Sequence, residues 1–221
     1  VRGAASTVYN KIKDLEHEYR TARKTDLSAS VTKAQSLDDL ISTARSELNA
    51  GEQAHAEQIL LEALKLDEHN VKVYNLLAQT YKAQGDYDHA KETLEYLIQL
   101  TGSGDPGVYG SLAGIAKSRG DLHTAQEEYQ KSISLDPQNY YYYLELAEVY
   151  RIMEQYEAAQ EAGEKSLALA PSNPKILDFL VENSIILQDK NRAHSFLSQL
   201  VEANPDNGKI ESFRERIGTI K

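Results

Sequence analysis

The chain has 221 residues, 41% hydrophobic and 26% charged, the balance of a globular protein. It has no cysteine, which excludes disulfides, thiolate zinc sites and a cysteine nucleophile while leaving the compartment open. The net charge of −10 argues against duplex nucleic acid as the main partner, because phosphate binding needs a basic footprint, and no apolar run approaches the roughly 18 residues of a membrane helix.

In chain order, residues 7–24 are predicted to be a helix, with Val8, Ile12, Leu15, Tyr19 and Ala22 stepping by 4, 3, 4 and 3 along a heptad seam. That seam is short of the three or four heptads of an independent coiled coil. The segment therefore either docks on the rest of the chain or is the tail of a longer helix that begins upstream, at a membrane, and dimerises. Lys11, Lys13, Arg20, Arg23 and Lys24 suit an anionic bilayer surface and a solvated face equally. Val1 is not a methionine, so a leader or membrane anchor upstream is an expectation here. Residues 25–35 read as a linker. Residues 1–35 carry seven Lys/Arg against four Asp/Glu, +3 in all, which leaves −13 of the total of −10 on the remainder.

From Ser36 onward one pattern repeats. Ala56, Ala90, Ala125, Ala159 and Ala193 are spaced by 34, 35, 34 and 34 residues. Each alanine is followed four residues later by a large side chain, Leu60, Leu94, Tyr129 or Leu197, except that Gly163 stands in the fourth place and predicts a local gap in the packing. Ahead of each alanine runs a helical stripe of a large residue, a second large residue and a small one: Leu40/Thr43/Ala44, Tyr74/Leu77/Ala78, Tyr109/Leu112/Ala113, Tyr143/Leu146/Ala147 and Leu177/Leu180/Val181. The small residue marks a close helix crossing. Gly51, Gly85 and Gly120 fall in the turn within each pair, with Asp189 expected to replace that glycine in the last unit. Pro137, Pro171 and Pro205 stop the second helices. Ser36 opens a capping box with Asp39. Asn70, Asp105, Asn139, Asn173 and Asn207 are placed to cap the helices that follow, and Pro106 and Pro174 suit the first helical position.

These residues resemble the tetratricopeptide repeat family, whose unit of about 34 residues follows W-x2-L-G-x2-Y, then A-x3-F, A and P. Five units are read, at 37–70, 71–104, 106–139, 140–173 and 174–207, with Asp105 inserted between the second and third and a capping helix over 208–221 carrying Ile210, Phe213 and Ile217. The first and last units depart most from the pattern, with Glu47 and Ser184 where Tyr81 and Tyr150 stand, as terminal units of a stack do. The resemblance implies an all-α, right-handed superhelical α-solenoid in which the first helices of successive pairs line a concave groove for peptides or partner helices.

Little points to catalysis. Gly102-Ser-Gly-Asp-Pro-Gly107 matches G-x-G-x-x-G in letters, but it follows a predicted helix rather than a strand. The six histidines do not form a helical metal-binding pair, and no P-loop, nucleophile elbow or zinc motif is present. No cofactor or metal is expected, and the chain does not read as an enzyme.

The groove slots that the resemblance implies are Arg45, Asn75, Gln79 and Lys82, then Gly107, Gly110, Gly114 and Lys117, then Tyr141, Leu144, Glu148 and Arg151. Family members that capture a chaperone's C-terminal carboxylate use a Lys/Asn/Arg clamp along two of these lines, and that clamp is missing here. Gly107, Gly110 and Gly114 share one helix face, where each costs roughly 0.5–1 kcal/mol relative to alanine. They form either a shallow floor for a ligand or a space that a neighbouring side chain fills. Lys82, Lys117 and Arg151 are expected to make a basic edge beside that floor, Tyr143 to belong to the core, and Tyr141 to face the groove as an anchor. The functional expectation is a non-catalytic scaffold for a protein or peptide partner, with membrane contact only through an upstream anchor. Two alternatives stand beside it: a substrate-positioning region of a larger enzyme or membrane assembly, and a self-assembling module, with residues 7–24 the candidate homodimer contact.

Overall fold

The computed structural model describes residues 36–102 and 104–220. The helix expected over 7–24, the linker over 25–35 and Ser103 lie outside the described residues. Those described form eleven helices and no strand: α1 Leu37–Ala50, α2 Gln53–Leu66, α3 Val71–Gln84, α4 Tyr87–Thr101, α5 Pro106–Ser118, α6 Leu122–Leu135, α7 Tyr140–Ile152, α8 Tyr156–Leu169, α9 Pro174–Ile186, α10 Lys190–Ala203 and α11 Ile210–Gly218. The chain divides at Gly104 into two compact units, the first holding α1–α4 and the second α5–α11. In each unit the helices pack as consecutive pairs, and each pair packs on the next through its second helix: α2 on α3, α6 on α7, α8 on α9. The architecture is an α-solenoid of helix pairs.

Local chemistry sets the helix ends. Ser36 Oγ accepts from the Asp39 amide at 3.1 Å while Asp39 Oδ2 accepts from the Ser36 amide at 3.1 Å, closing the expected box. The Ser36 hydroxyl also donates to Asp39 Oδ2 at 2.8 Å, and this bond first, then that from the Ser36 amide, holds the exposed Asp39 carboxyl below its ordinary range. Asn70, Asp105, Asn139 and Asn173 each accept from an amide in the first turn of the helix they precede. The second helices use a signal the sequence reading missed: Asp86, Asp121 and Asp189 cap α4, α6 and α10. Asp189 therefore does not occupy the glycine slot of the last turn. Gln188 does, at φ 58°, as Glu154 does one repeat earlier at φ 60°, where the other turns have Gly51, Gly85 and Gly120. The last helix also begins later than expected. Asn207 still accepts from the Lys209 amide at 2.9 Å, yet α11 starts at Ile210.

The periodic alanines Ala56, Ala90, Ala125, Ala159 and Ala193 are all 0% exposed, as are Ala113, Ala147 and Val181 in the small-residue slots of the first helices. Tyr74, Leu77, Leu177 and Leu180 are fully buried with them, whereas Tyr109, Leu112 and Tyr143 are only half-buried. In α7 it is Tyr142, not Tyr143, that enters the core. The gap expected at Gly163 is filled: a Cβ there would stand 2.8 Å from Leu180 Cδ2 and 3.0 Å from Phe179 Cε1. The side chain that repeat four lacks is supplied by two residues of α9.

Candidate functional site

In the first unit, α3 separates two kinds of side chain. Tyr74, Leu77, Ala78 and Tyr81 are buried, while Asn75 is half-buried and Gln79 and Lys82 are exposed. The spacing of Asn75, Gln79 and Lys82, four residues and then three, places them on one helix face. Arg45 on α1 is also exposed. Tyr81 faces the other way and donates its hydroxyl to Glu57 Oε1 of α2 at 3.1 Å.

In the second unit, Tyr142 covers Gly110 on the glycine face of α5. A Cβ on Gly110 would lie 2.8 Å from Tyr142 Cε1, and one on Gly107 3.9 Å from its hydroxyl; Gly114 is buried. At Gly110 the structure has a neighbouring side chain in the space, whereas at Gly107 the nearest atom is Oδ1 of its own cap, Asp105, at 3.0 Å. Tyr141, next in sequence, is 49% exposed, with its ring edge-on to Tyr142 at 6.1 Å. Leu144 is half-buried and leans on the core between α7 and α9.

The two groove cations of this unit are engaged. Lys117 of α5 pairs with Glu145 of α7. Arg151 donates to Glu148 Oε2 at 2.6 and 3.1 Å and lies 5.7 Å from the centre of the Phe179 ring. The basic edge expected of Lys117 and Arg151 is therefore matched by the carboxylates of Glu145 and Glu148, while Lys82 belongs to the other unit. Glu145, which sequence reasoning passed over, is a hub. Its Oε2 accepts from Lys117 and, at 3.2 Å, from the buried Tyr129 hydroxyl of α6. Burial first, and then the Glu145 charge, push the Tyr129 and Tyr141 hydroxyls up from their ordinary range. The only signal for this hub in the sequence was a carboxylate one residue past a groove slot.

At the far end, Asp178 and Glu182 of α9, one repeat after Leu144 and Glu148, are held by residues 207–216. Asn207 donates to Asp178 at 3.1 Å, Lys209 pairs with Asp178 at 2.5 Å, and Arg216 pairs with Glu182 at 3.1 Å. His55 of α2 faces Glu47 of α1 at 3.1 Å, and His89 faces Asp86, the cap of its own helix, at 2.6 Å. Among the described residues no three His, Asp or Glu side chains gather as a metal site, and no helix is long and apolar enough to cross a membrane. Gly102 ends α4 in a left-handed turn and Asp105 caps α5, so the described part of the glycine motif joins two helices.

Residues 71–102 and 106–139 match one family profile and residues 128–161 another, each described as a tetratricopeptide repeat. The chain is a tetratricopeptide-repeat protein. No curated protein matches the sequence. Solved tetratricopeptide-repeat structures share its fold. Pseudomonas aeruginosa pilF is 20% identical over 95% of this chain and 92% of its own, with a TM-score of 0.66. A MamA fragment from Desulfovibrio magneticus is 16% identical over 79% of this chain and 99% of its own, with a TM-score of 0.66. YrrB, described as a tetratricopeptide-repeat protein with an unusual peptide-binding site, is 14% identical over 83% of this chain and 94% of its own, with a TM-score of 0.62. At such identities the likeness is one of fold.

Proposed function

We propose that this tetratricopeptide-repeat chain is a non-catalytic protein-interaction scaffold, whose first-helix faces bind a peptide or partner helix. The observation that carries the reading is the division of α3. Its core slots are filled by Tyr74, Leu77, Ala78 and Tyr81, and the adjoining face displays Asn75, Gln79 and Lys82, which the core does not need. The peptide-binding site named for YrrB supports the reading as a property of a protein with the same fold. In the second unit the equivalent face offers Tyr141 as an exposed aromatic anchor and the Glu148–Arg151 pair as a fixed hydrogen-bonding element. Because Lys117 and Arg151 already have carboxylate partners, recognition there rests on aromatic and apolar contact rather than on attraction of an acidic ligand.

Gly110→Arg is a poor probe of this face, since it would break the packing of Tyr142. The better experiment selects peptide binders from a displayed random library on the full chain and remeasures them on Lys82→Glu and Tyr141→Ala. Loss of about tenfold or more in affinity in at least one variant, the size of a binding hot spot, is expected. Binders indifferent to both changes would contradict the assignment.

A further inference from the structure

A second feature lies away from the first-helix faces. Between α6, α7 and α8 is an open pocket of about 260 Å³. Tyr143, Leu146 and Tyr150 of α7 make its floor, Ile133 one wall, and Ala158 and Ala162 of α8 the other. It exists because Ala162 is small. One repeat on, the same slot holds Phe196, half-buried and packed against the core on both sides of α9. In the other units the same slot holds Ile59, Thr93 and Glu128, so the fourth unit has the smallest side chain there and leaves the space beside Tyr143 and Tyr150 open.

The mouth of the pocket is acidic. Glu161 and Lys165 stand on its rim. Glu157 lies one turn before Glu161 on α8, and Glu127 one turn before the pocket residue Gln130 on α6. Glu157 and Glu161 are exposed and enter no ion pair among the described residues, and Glu127, also exposed, feels Lys131 one turn on, whose ammonium is paired with Glu128. An occupant that matches would carry an aromatic side chain beside several cations.

This chain contains such a segment. In Tyr19-Arg-Thr-Ala-Arg-Lys24 an aromatic residue is followed by three cations within five residues. The segment belongs to the +3 head of residues 1–35, and the pocket to the −13 remainder. Heads repel heads and bodies repel bodies, while head attracts body. We propose that the pocket receives Tyr19 of a second copy of this chain, with Arg20, Arg23 and Lys24 facing Glu127, Glu157 and Glu161. The contact is head-to-body and heterologous, so it adds copies one after another unless a ring closes. It uses a different surface from the peptide-binding faces above.

The experiment uses the full chain, with solution mass by light scattering over a hundredfold range of concentration. The expected mass rises above 24.7 kDa with concentration. It returns to that of one chain in Tyr19→Ala, in Ala162→Phe, which fills the pocket as Phe196 does one repeat on, and in high salt, which screens the charges. Glu161→Lys, an exposed change that does not alter the core, is measured beside Ala162→Phe in case the latter misfolds, and is expected to lower the mass at every concentration. A single-chain mass throughout would overturn the proposal. So would association that Tyr19→Ala and Glu161→Lys leave unchanged.

Discussion

A glycine in the middle of a helix is tolerated when a larger neighbour occupies the space its side chain would take. Gly110 and Gly163 are two such places, one filled by Tyr142 from the next repeat and the other by Phe179 and Leu180. Alanine at Gly163 would gain up to about 1 kcal/mol of helix propensity. Its Cβ would also press on two buried side chains at 2.8 and 3.0 Å, and overpacking of that kind costs about 1–3 kcal/mol. The expected net effect of Gly163→Ala is destabilisation by about 1 kcal/mol in urea titrations. Gly110→Ala meets one ring rather than two side chains, so a smaller loss is expected, relieved when Tyr142→Leu is added, because contacting residues are coupled. An unchanged or raised midpoint for Gly163→Ala would show that the slot is looser than the distances say. The turn residues make a parallel point: Glu154 and Gln188 hold the left-handed conformation that Gly120 holds elsewhere, so the register of the repeat, and not the residue type, decides where that turn forms.

At the scale of elements, helices are joined by buried polar contacts that recur with the repeat. Tyr81 of α3 reaches back to Glu57 of α2, and Ser184 and Asn183 of α9 reach back to Gln160 of α8 at 3.4 and 2.9 Å. In the second unit Tyr129 of α6 and Lys117 of α5 meet at Glu145 of α7, so one carboxylate links three helices. These contacts give stability a sign with pH. Burial and a neighbouring carboxylate raise the Tyr81 and Tyr129 hydroxyls from 10.0 in the folded chain. Above about pH 10 the unfolded chain then releases protons that the folded chain keeps, so unfolding is favoured as pH rises. Stability should be fully present below about pH 10 and fall above it, by up to about 1.4 kcal/mol per pH unit for each such tyrosine. Urea midpoints measured between pH 9 and 11.5 check this, and Tyr129→Phe should make the decline shallower. A flat profile would mean that the hydroxyls reach water in the folded state.

At the scale of the whole molecule, a stack of pairs has to be terminated, and α11 does this by burying Ile210, Phe213, Ile217 and the following Ile220 against α9 and α10. The ion pairs from Lys209 and Arg216 lie at the exposed rim of that contact, where such pairs contribute roughly 0–1 kcal/mol. Ile217→Ala is therefore expected to cost about 2–4 kcal/mol, and Arg216→Ala less than about 1 kcal/mol, by urea denaturation of the full chain. The reverse order would make the cap an electrostatic clasp rather than an apolar plug.

The periodic alanines, the capping asparagines and the prolines were enough to place the helix pairs along the chain, because each acts on its own helix or the adjacent turn. Such signals have a period and need no knowledge of the partner helix. They also picked out Asn75, Gln79 and Lys82 as a face, since helical spacing alone puts them together. What they left undecided involves contacts between repeats. Whether Tyr142 or Tyr143 goes inside, whether the glycine face of α5 is open, and whether Lys117 is available all depend on side chains elsewhere in the chain, as with Lys117 and Glu145, which stand 28 residues apart. Periodicity fixes the direction a residue faces on its own helix. Only packing of one repeat on the next decides what it meets there, because volume and charge are balanced across that junction and not within either helix.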